Sequence, residues 1–468
     1  MKPILANLGF ILQIAGILIL LPIVIAFYYN EFNALIPFFI TSIALFATGF
    51  LLNALCERKE LDFKSSCVLI TMVFILLGLY TSIPCQYLNP FQEQDVFLKF
   101  TNCYFESISG STTTGFSLIN DVNALPKSMI FFRGLIQWIG GLGLVFILLV
   151  FFYPSNAVIP LSNAIGVENM ETDIKKTFIH ILLIYSVYSI IFTTLFYFIG
   201  PMDIINAVSL VFSSISTGGF SPVTDFSQIM TLSNALILSI AMIVGATTFV
   251  IHYKLFKRKL KDVVMNEFLI FLLIIFTITF LIRIISNLSI FDSFFHVVSS
   301  SSTTGFSYID FSKFAENVKI IFVLLMFIGG CSFSTAGGIK VMRLMLFFKS
   351  IPWSIKRILT KTEEKLHIDN KELTDSDVIL HMLVVLLGGF IILISTLIFC
   401  FHGFPLIDSL FESTSAFATT GLSVGIVNVS LPVYLKWLMI ILMILGRVEI
   451  VPFLITFSEA FNKIKTSK

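Results

Sequence analysis

The sequence predicts an all-α polytopic membrane protein with four pseudo-symmetric helix–pore-loop–helix repeats around one pore, preceded by two extra N-terminal transmembrane helices. Three observations predict this fold class: a very apolar composition, four copies of one short glycine-containing phrase, and a regular alternation of long and short apolar segments. The 468 residues are 57% hydrophobic and 12% charged, whereas soluble domains are about one quarter charged. The formal charge of +2 gives no indication of a nucleic-acid partner.

The first two apolar runs precede the repeats. Residues 4–28 form a run of spanning length, with only Lys2 ahead of it and no small-residue cleavage site after it. We therefore expect this run to remain as a helix and not to be removed as a signal peptide. A second run follows at 34–55, so the interval 1–63 is predicted to hold a transmembrane helix pair.

The repeats are predicted from eight further long runs and four short ones. The long runs lie near 67–84, 128–153, 177–200, 232–252, 266–286, 317–348, 377–401 and 433–457. The short ones cannot span a bilayer and lie at 96–110, 204–216, 290–302 and 406–418. Each short run leads directly into a glycine phrase, which predicts a re-entrant half-helix and loop. The predicted repeats occupy 64–165, 166–261, 262–365 and 366–468.

The glycine phrase is the candidate functional element. It reads Ser-Thr-Thr-Thr-Gly-Phe-Ser at 111–117, Ser-Thr-Gly-Gly-Phe-Ser at 216–221, Ser-Thr-Thr-Gly-Phe-Ser at 302–307 and Ala-Thr-Thr-Gly-Leu-Ser at 418–423. Glycine permits positive φ and close approach of the backbone to an ion, and a ring of backbone carbonyls can replace the water shell of a cation. The predicted ion-binding residues are Thr113, Thr114, Gly115, Thr217, Gly218, Gly219, Thr303, Thr304, Gly305, Thr419, Thr420 and Gly421.

The residues around these positions refine the prediction. None of the four phrases contains an acidic residue, which favours a monovalent cation over calcium, an ion that prefers carboxylate ligands. The residues after the glycines are predicted to pack behind the segments: Phe116, Phe220, Phe306 and Leu422. The second phrase has Gly218 where the others have threonine, which argues against strict fourfold equivalence.

Charge placement predicts the orientation in the membrane. One set of loops is basic, with Arg58, Lys59, Lys64, Lys175, Lys176, Lys254, Lys257, Arg258, Lys259, Lys261, Lys349, Lys356, Arg357, Lys361 and Lys365, and the C-terminal tail adds Lys463, Lys465 and Lys468. The alternate loops lean acidic. Because basic loops remain in the cytoplasm, both termini are predicted to be cytoplasmic and each pore loop to enter from outside.

Two further segments carry a family resemblance. Residues 133–143 read Arg-Gly-Leu-Ile-Gln-Trp-Ile-Gly-Gly-Leu-Gly, residues 329–340 read Gly-Gly-Cys-Ser-Phe-Ser-Thr-Ala-Gly-Gly-Ile-Lys, and Arg447 lies in the last apolar run. With the four glycine phrases, they resemble the Trk/Ktr/HKT superfamily of potassium transporters over nearly the whole chain, and most closely its TrkH type of membrane subunit. The N-terminal helix pair is the TrkH feature that the shorter Ktr-type relatives lack.

The resemblance implies potassium uptake across the cytoplasmic (inner) membrane of a prokaryote, with potassium as the substrate at the filter carbonyls and no covalently bound cofactor. It also implies a homodimer with two parallel pores and a cytosolic, nucleotide-binding regulatory subunit of the TrkA kind. The chain itself carries no nucleotide motif. The basic stretches 254–261 and 349–365 are the predicted docking site for that subunit, with plain positive-inside bias and contact with anionic lipid as the alternative.

The segment 329–338 is predicted to interrupt its helix, because each glycine costs a helix about 1 kcal/mol. In the family this segment is a gate under the filter, which implies gate roles for Gly329, Gly330, Ser332, Ser334, Thr335, Gly337, Gly338, Lys340 and Arg447. Packing of small residues between helices is the alternative. An intramembrane arginine needs a partner, so Arg447 is expected to reach this segment or the pore, with pairing to Glu449 as the alternative.

Predictions can also be made for three other charged residues. Glu106 and Glu412 stand equally far before a filter glycine and are predicted to cap the starts of half-helices, where the helix dipole favours an anion. An outer charge that attracts cations is the alternative for both. Arg133 is predicted to be an interfacial or structural charge near the end of its helix.

Other functions remain as alternatives. A sodium- or proton-coupled cation symporter, or a less selective monovalent cation transporter, fits the same superfamily. A secondary transporter with inverted repeats would show twofold recurrence instead of fourfold. An enzyme is not indicated, because the six histidines and six cysteines show no metal-type spacing and residues 330–334 do not form a nucleophile elbow.

Overall fold

The computed structural model describes residues 2–57, 59, 61–152, 174–257, 266–360, 365–368 and 371–466. Helices dominate these residues, which confirms the all-α fold class. Outside them lie the predicted repeat boundaries at 165–166 and 261–262, and part of the basic loops, namely Arg58, Arg258, Lys259, Lys261, Lys361 and Lys468.

The N-terminal helix pair consists of α1 (Lys2–Leu18), α2 (Leu21–Tyr28) and α3 (Phe32–Leu55). Helices α1 and α3 approach each other closely because glycine faces glycine: a Cβ on Gly9 would lie 2.6 Å from Gly49 O. The Ser42 hydroxyl of α3 also donates to Gly16 O at 2.7 Å. Small residues and interhelical hydrogen bonds are the usual means by which helices associate in lipid.

After this pair, an outer helix, a short pore helix, an extended segment and an inner helix follow one another four times. The outer helices are α4 (Phe63–Thr81, continued by α5, Ile83–Leu88), α8 (Ile174–Phe198), α12 (Asn266–Ile285) and α16 (Asp375–Phe401). The pore helices are α6 (Val96–Ser111), α9 (Ile204–Ile215), α13 (Ile290–Ser301) and α17 (Leu406–Phe417). The inner helices are α7 (Lys127–Phe152), α10 (Leu232–Ala246), α14 (Glu316–Ile328) and α18 (Val433–Val448). Every predicted half-helix is confirmed.

Local side-chain chemistry sets the starts of several of these helices. The Asp95 carboxylate accepts a hydrogen bond from Leu98 N at 2.7 Å and caps α6, and the Ser289 hydroxyl accepts one from Asp292 N at 3.1 Å and caps α13. Such caps satisfy amides that have no partner within the helix. Glu31 of the N-terminal pair caps α7 from outside its repeat, because it accepts from Lys127 N at 2.6 Å.

Three of the four inner helices are broken. Helix α10 is followed at 101° by α11 (Phe249–Phe256), and α18 is followed at 109° by α19 (Ile450–Thr466). Helix α14 ends at Ile328, and α15 (Val341–Thr360) begins only after residues 329–340. The predicted break in the third repeat is confirmed. The apolar runs predicted at 232–252 and 433–457 are each divided between two helices, because the chain turns at Thr247–Thr248 and at Glu449, where φ is 71°.

Among the described residues, six helices are long and apolar enough to cross a membrane, or eight if each of the two bent pairs is one span. A short antiparallel hairpin was not predicted: β1 (Leu366–Ile368) pairs with β2 (Lys371–Leu373). Leu366 and Leu373 face each other across it and pack against Leu346 and Val378. The hairpin thereby connects the end of α15 to the start of α16.

Candidate functional site

The four glycine phrases share one backbone conformation. The residue that follows the pore-helix cap is a threonine with φ between 50° and 54°, and the glycine two positions later has φ between 80° and 92°. Positive φ at the glycines was expected. Positive φ at the threonines was not, because a β-branched residue adopts it only where the surroundings enforce it. We call residues 113–115, 217–219, 303–305 and 419–421 the glycine segments.

The amides of the glycine segments turn back to the pore helices. The amide of the middle residue bonds to a carbonyl five residues earlier in every repeat, in the pairs Thr114–Ser109, Gly218–Ser213, Thr304–Ser299 and Thr420–Ser415, at 2.7–2.9 Å. Within the described residues, the segment carbonyls other than that of Gly218 accept no hydrogen bond. These oxygens are therefore available for a ligand.

The segments close into a ring in the order of the chain. A Cβ on Gly115 would overlap Gly218 O, one on Gly219 would overlap Thr304 O, one on Gly305 would overlap Thr420 O, and one on Gly421 would overlap Thr114 O. Each glycine thus abuts a carbonyl of the next repeat, and the fourth returns to the first. We call this arrangement the glycine ring.

The departure at Gly218 has a structural reason. A Cβ on Gly218 would lie 2.5 Å from the Gln137 side-chain carbon Cδ. Gln137 of α7 donates to Gly218 O at 2.5 Å and accepts from Phe220 N at 3.2 Å. The Gln137 amide therefore occupies the space of the missing threonine. Gln137 belongs to the segment 133–143, but the sequence alone assigned it no role, since it stands 81 residues from Gly218.

The prediction that Glu106 and Glu412 cap helix starts is wrong, because both lie well inside their pore helices. Glu106 Oε1 accepts from Ser117 Oγ at 2.8 Å, from Leu118 N and from Ile119 N at 3.1 Å. Glu412 Oε1 accepts in the same way from Ser423 Oγ at 2.5 Å, Val424 N at 3.0 Å and Ile426 N at 3.3 Å. Each carboxylate holds the chain that leaves the ring.

Among the described side chains, only the first of these carboxylates has a basic partner. Arg133 Nη2 lies 3.7 Å from Glu106 Oε2, and Nη1 donates to Ser221 O of the second repeat at 3.1 Å. Arg133 is 4% exposed, so its structural role is confirmed and an interfacial one is wrong. Met439, which stands as far after Gly421 as Arg133 stands after Gly115, is buried, and no described basic side chain pairs with Glu412.

The four side chains predicted to pack behind the glycine segments are buried, at 1–3% exposure: Phe116, Phe220, Phe306 and Leu422. Phe220 lies beneath the Arg133 guanidinium at 4.2 Å, and Phe306 stacks on Phe226 with ring centroids 5.0 Å apart. These contacts brace the ring from its outer side.

Residues 329–340, which we call the intramembrane loop, contact the end of the ring nearest the pore helices. Gly337 N donates to Thr303 Oγ1 at 2.6 Å, and a Cβ on Gly337 would overlap Ala418 O. The Thr335 hydroxyl donates to Ile215 O and to Gly245 O, both at 2.9 Å. The loop therefore touches the second, third and fourth repeats at the ring.

Hydrogen bonds between backbone groups join the two ends of the intramembrane loop. Ile339 N donates to Phe327 O and Lys340 N to Ile328 O, both at 2.9 Å. Gly329 and Gly338 lie side by side where the two ends meet, with φ of 72° and 74°. A Cβ on Gly338 would lie 2.8 Å from Gly329 Cα. The Lys340 ammonium donates to Ala336 O. The other predicted gate residues are buried in the same loop: Gly330, Ser332 and Ser334.

Arg447 of the fourth repeat connects the intramembrane loop to the first repeat as well. It is 1% exposed, and its guanidinium donates to Thr335 O at 2.7 Å and to Gly140 O of α7 at 3.0 Å. The expectation that Arg447 reaches the loop is confirmed. The alternative pairing with Glu449 is wrong, because Glu449 accepts instead from Arg343 at 2.5 Å.

Exposed carboxylates lie in the turns that follow the ring. Asp225 Oδ1 accepts from the Ser227 hydroxyl at 2.6 Å and from its amide at 3.0 Å, and Asp310 accepts identically from Ser312. These hydrogen bonds lower the pKa of each carboxyl from its ordinary value. The bond from the serine hydroxyl is the largest cause, and the bond from the amide is the next. In the fourth repeat Asn428 replaces the acid.

The fold and the ring define a polytopic membrane protein with a carbonyl-lined centre, and the similarities of the chain specify its family. The family model described as TrkH, cation transport protein, matches residues 35–285 and 267–465. The chain therefore belongs to the TrkH family of cation transport proteins, as its resemblance implied.

Individual relatives are similar over almost their full length. An uncharacterized cation transporter of Methanocaldococcus jannaschii is 31% identical, over 98% of this chain and 96% of the relative. The Trk system potassium uptake protein TrkG of Escherichia coli is 27% identical, over 97% of both chains. The crystal structure of the potassium transporter TrkH from Vibrio parahaemolyticus shares the fold, with a TM-score of 0.84 at 24% identity, over 97% of this chain and 98% of that one.

Proposed function

We propose that this protein takes up potassium across the cytoplasmic membrane through the glycine ring, which acts as a selectivity filter, and that the intramembrane loop gates it. The observation that carries this proposal is the set of segment carbonyls that accept no hydrogen bond within the described residues, in a closed ring of four repeats. Carbonyls in such a ring can replace the hydration shell of a cation.

Potassium is the favoured ion for two reasons. The four segments offer carbonyl and hydroxyl oxygens but no carboxylate, a ligand set that suits a monovalent cation. In addition, relatives over nearly the whole chain bear the name potassium uptake protein. The potassium ion is therefore proposed as substrate at residues 113–115, 217–219, 303–305 and 419–421.

The gating proposal rests on the position of the intramembrane loop. It touches the ring-facing ends of three repeats directly, and Arg447 ties it to the fourth and first repeats. A loop in this position obstructs ions that leave the ring. Because individual hydrogen bonds hold it, a change in one partner can release it.

The experiment is ion flux into liposomes that contain the purified protein. We expect uptake of potassium and rubidium, with sodium uptake lower, and a rate that follows the membrane potential. Equal permeability to sodium and potassium in the unmodified protein would contradict a potassium-selective filter. A rate of potassium uptake that does not depend on the membrane potential would contradict passive conduction.

A proton-coupled cation symporter is the second candidate, and Glu412 favours it. This carboxylate is fully buried beside the ring, and its Oε2 has no hydrogen-bond partner among the residues that the structure describes. A buried acid without a base is a suitable site for proton exchange. Potassium uptake driven by a pH gradient alone, and lost in Glu412→Gln, would establish this candidate. Uptake that is indifferent to the gradient would reject it.

For partners, we propose a homodimer with a cytosolic, nucleotide-binding subunit of the TrkA kind docked on the basic stretches 254–261 and 349–365. Relatives named as members of a Trk system support a multi-component assembly. In the described part of these stretches, Lys349 and Lys356 are exposed, and Arg357 pairs with Asp375 at 2.7 Å. Because exposed side chains are accessible to a partner, Lys349 and Lys356 are the proposed docking residues here.

Co-purification tests this docking site. Reversal of Lys349 and Lys356 to glutamate, together with Lys254 and Lys257, is expected to release the cytosolic subunit while the dimer stays intact. Reversal of two basic residues in the tail, Lys463 and Lys465, serves as the control. Undiminished binding after the four reversals would show that the partner docks elsewhere.

A further inference from the structure

Glu267 is a buried carboxylate that the roles described so far leave unexplained. It is the second residue of α12 and only 4% exposed. A single atom, Glu267 Oε1, accepts from Ser332 N at 2.7 Å and from Met342 N at 3.1 Å. Ser332 stands near the start of the intramembrane loop and Met342 just beyond its end. One oxygen therefore bridges the two sides of the loop.

Both of these amides depend on Glu267 within the described residues. Met342 is the second residue of α15, a position whose amide has no partner within its own helix. The Ser332 amide lies in irregular backbone. The amides that precede Ser332 and Met342 in the chain bond elsewhere: Cys331 N donates to Ala246 O, and Val341 N donates to Gly330 O. Removal of the Glu267 carboxylate would leave two buried amides without acceptors, which is unfavourable.

Glu267 and Arg447 hold the same loop through opposite groups. Arg447 donates to the carbonyl of Thr335 in the middle of the loop, whereas Glu267 accepts from amides on its two sides. Arg447 comes from the inner helix of the fourth repeat, and Glu267 comes from the outer helix of the third. The loop is thus held between two independent anchors.

We infer that Glu267 is a positioning residue of the intramembrane loop, through which the start of α12 controls the closed arrangement. This inference rests on the proposed gating function. Helix α12 begins at Asn266, shortly after the basic stretch 254–261 in the sequence. A regulator bound to that stretch can therefore act on both sides of the loop at once by shifting one helix end, because both amides bond to the same oxygen.

Potassium flux into liposomes without a regulator tests the inference. Glu267→Gln keeps an acceptor oxygen for both amides, so its flux is expected to stay within about twofold of the unmodified protein. Glu267→Leu removes the acceptor and is expected to raise flux about tenfold. The potassium-to-sodium ratio stays unchanged in both variants, because Glu267 does not touch the ring. Asp377→Leu, which removes another buried carboxylate outside the loop, is the matched control and leaves flux unchanged.

Hydrogen exchange of the peptide 330–343 supplies a second readout that remains available if Glu267→Leu folds poorly. In Glu267→Asp, whose shorter side chain cannot reach both amides, exchange is expected to accelerate, whereas in Glu267→Gln it does not. Equal exchange in all variants, or equal flux in the Leu and Gln variants, overturns the inference. A deletion within 333–336 separates the role of Glu267 from the gating function. If the deletion raises potassium flux and Glu267→Leu does not, only the inference about Glu267 fails. If the deletion does not raise flux, the proposed gating function fails as well.

Discussion

The glycine ring and the intramembrane loop lie in contact but differ in construction. The ring repeats one backbone conformation four times, and each glycine abuts a carbonyl of the next repeat. This close approach leaves no room for a side chain at the four glycines. The loop occurs once, and separable hydrogen bonds from Thr303, Glu267 and Arg447 hold it. Close packing favours a constant geometry in the ring, whereas a loop held by a few hydrogen bonds can switch between two arrangements.

Because of this difference, selectivity and flux should respond to different substitutions. Changes in the ring are expected to alter which ion passes, since the spacing of the carbonyls sets the fit. Changes at the anchors of the loop are expected to alter how much passes at constant selectivity. A substitution that changed both quantities together would contradict this division of roles.

The largest effect is expected for Gly115→Ser. The new Cβ would overlap Gly218 O at a residue with φ of 92°, and a side chain in this conformation costs about 1–3 kcal/mol in addition. We expect the potassium-to-sodium selectivity in liposome flux to fall by roughly 100-fold.

Gly425→Ser is the matched control for this variant. Gly425 has φ of 96°, but nothing lies within 4 Å of an added Cβ, so it carries the backbone strain without the overlap in the ring. Selectivity is expected to be preserved in this control. An equal loss in both variants would mean that strain, and not carbonyl spacing, explains the result.

The next effect is expected for Arg447→Met, which preserves much of the side-chain volume but removes the donors to Thr335 O and Gly140 O. Hydrogen bonds from a charged group contribute about 1.5–3 kcal/mol each, so basal potassium flux is expected to rise about tenfold with unchanged selectivity. Arg357→Met breaks a partly exposed ion pair and is expected to leave flux unchanged. Unchanged flux in a folded Arg447→Met would assign the arginine to packing alone.

A smaller effect concerns the asymmetry of the ring. Gly218→Thr is expected to lower the potassium-to-sodium selectivity severalfold, because the new side chain would collide with Gln137 at 2.5 Å. Gln137→Ala vacates that space, so the double variant should recover part of the selectivity, and a double-mutant cycle measures the coupling. Strictly additive losses would show that Gln137 does not replace the missing threonine.

The smallest effect is expected for the carboxylates of the outer turns. Asp225→Asn with Asp310→Asn should lower potassium flux about twofold at low ionic strength and not at high salt, because exposed charges steer ions only where screening is weak. The pKa of both carboxyls is lowered, so they stay charged from pH 7 to pH 5 and lose their charge only below the ordinary value of about 4. Asn428→Asp, which adds a carboxylate in the fourth repeat, should act in the opposite direction. A twofold loss that persists in high salt would contradict steering.

Several features could be predicted from the sequence alone: the class of protein, the four half-helices, the positive φ of the four glycines, the break in the third inner helix and the family. These features depend on local properties: the length and polarity of a run, and the conformational freedom of glycine. The predicted half-helix bounds lie within one residue of the observed ones. A pattern that recurs within a short window needs no knowledge of distant partners.

The contacts between distant side chains could be seen only in the three-dimensional structure. Gln137 fills the space beside Gly218, Arg447 bonds to Gly140 O across 307 residues, and Glu267 bridges both sides of the intramembrane loop. The sequence misassigned Glu106 and Glu412 as helix caps because their acceptor role depends on a chain that returns past the pore helix after the ring. Hydrogen bonds between residues far apart in the chain produce no periodic pattern in the sequence, because their geometry depends on how the four repeats close around one axis.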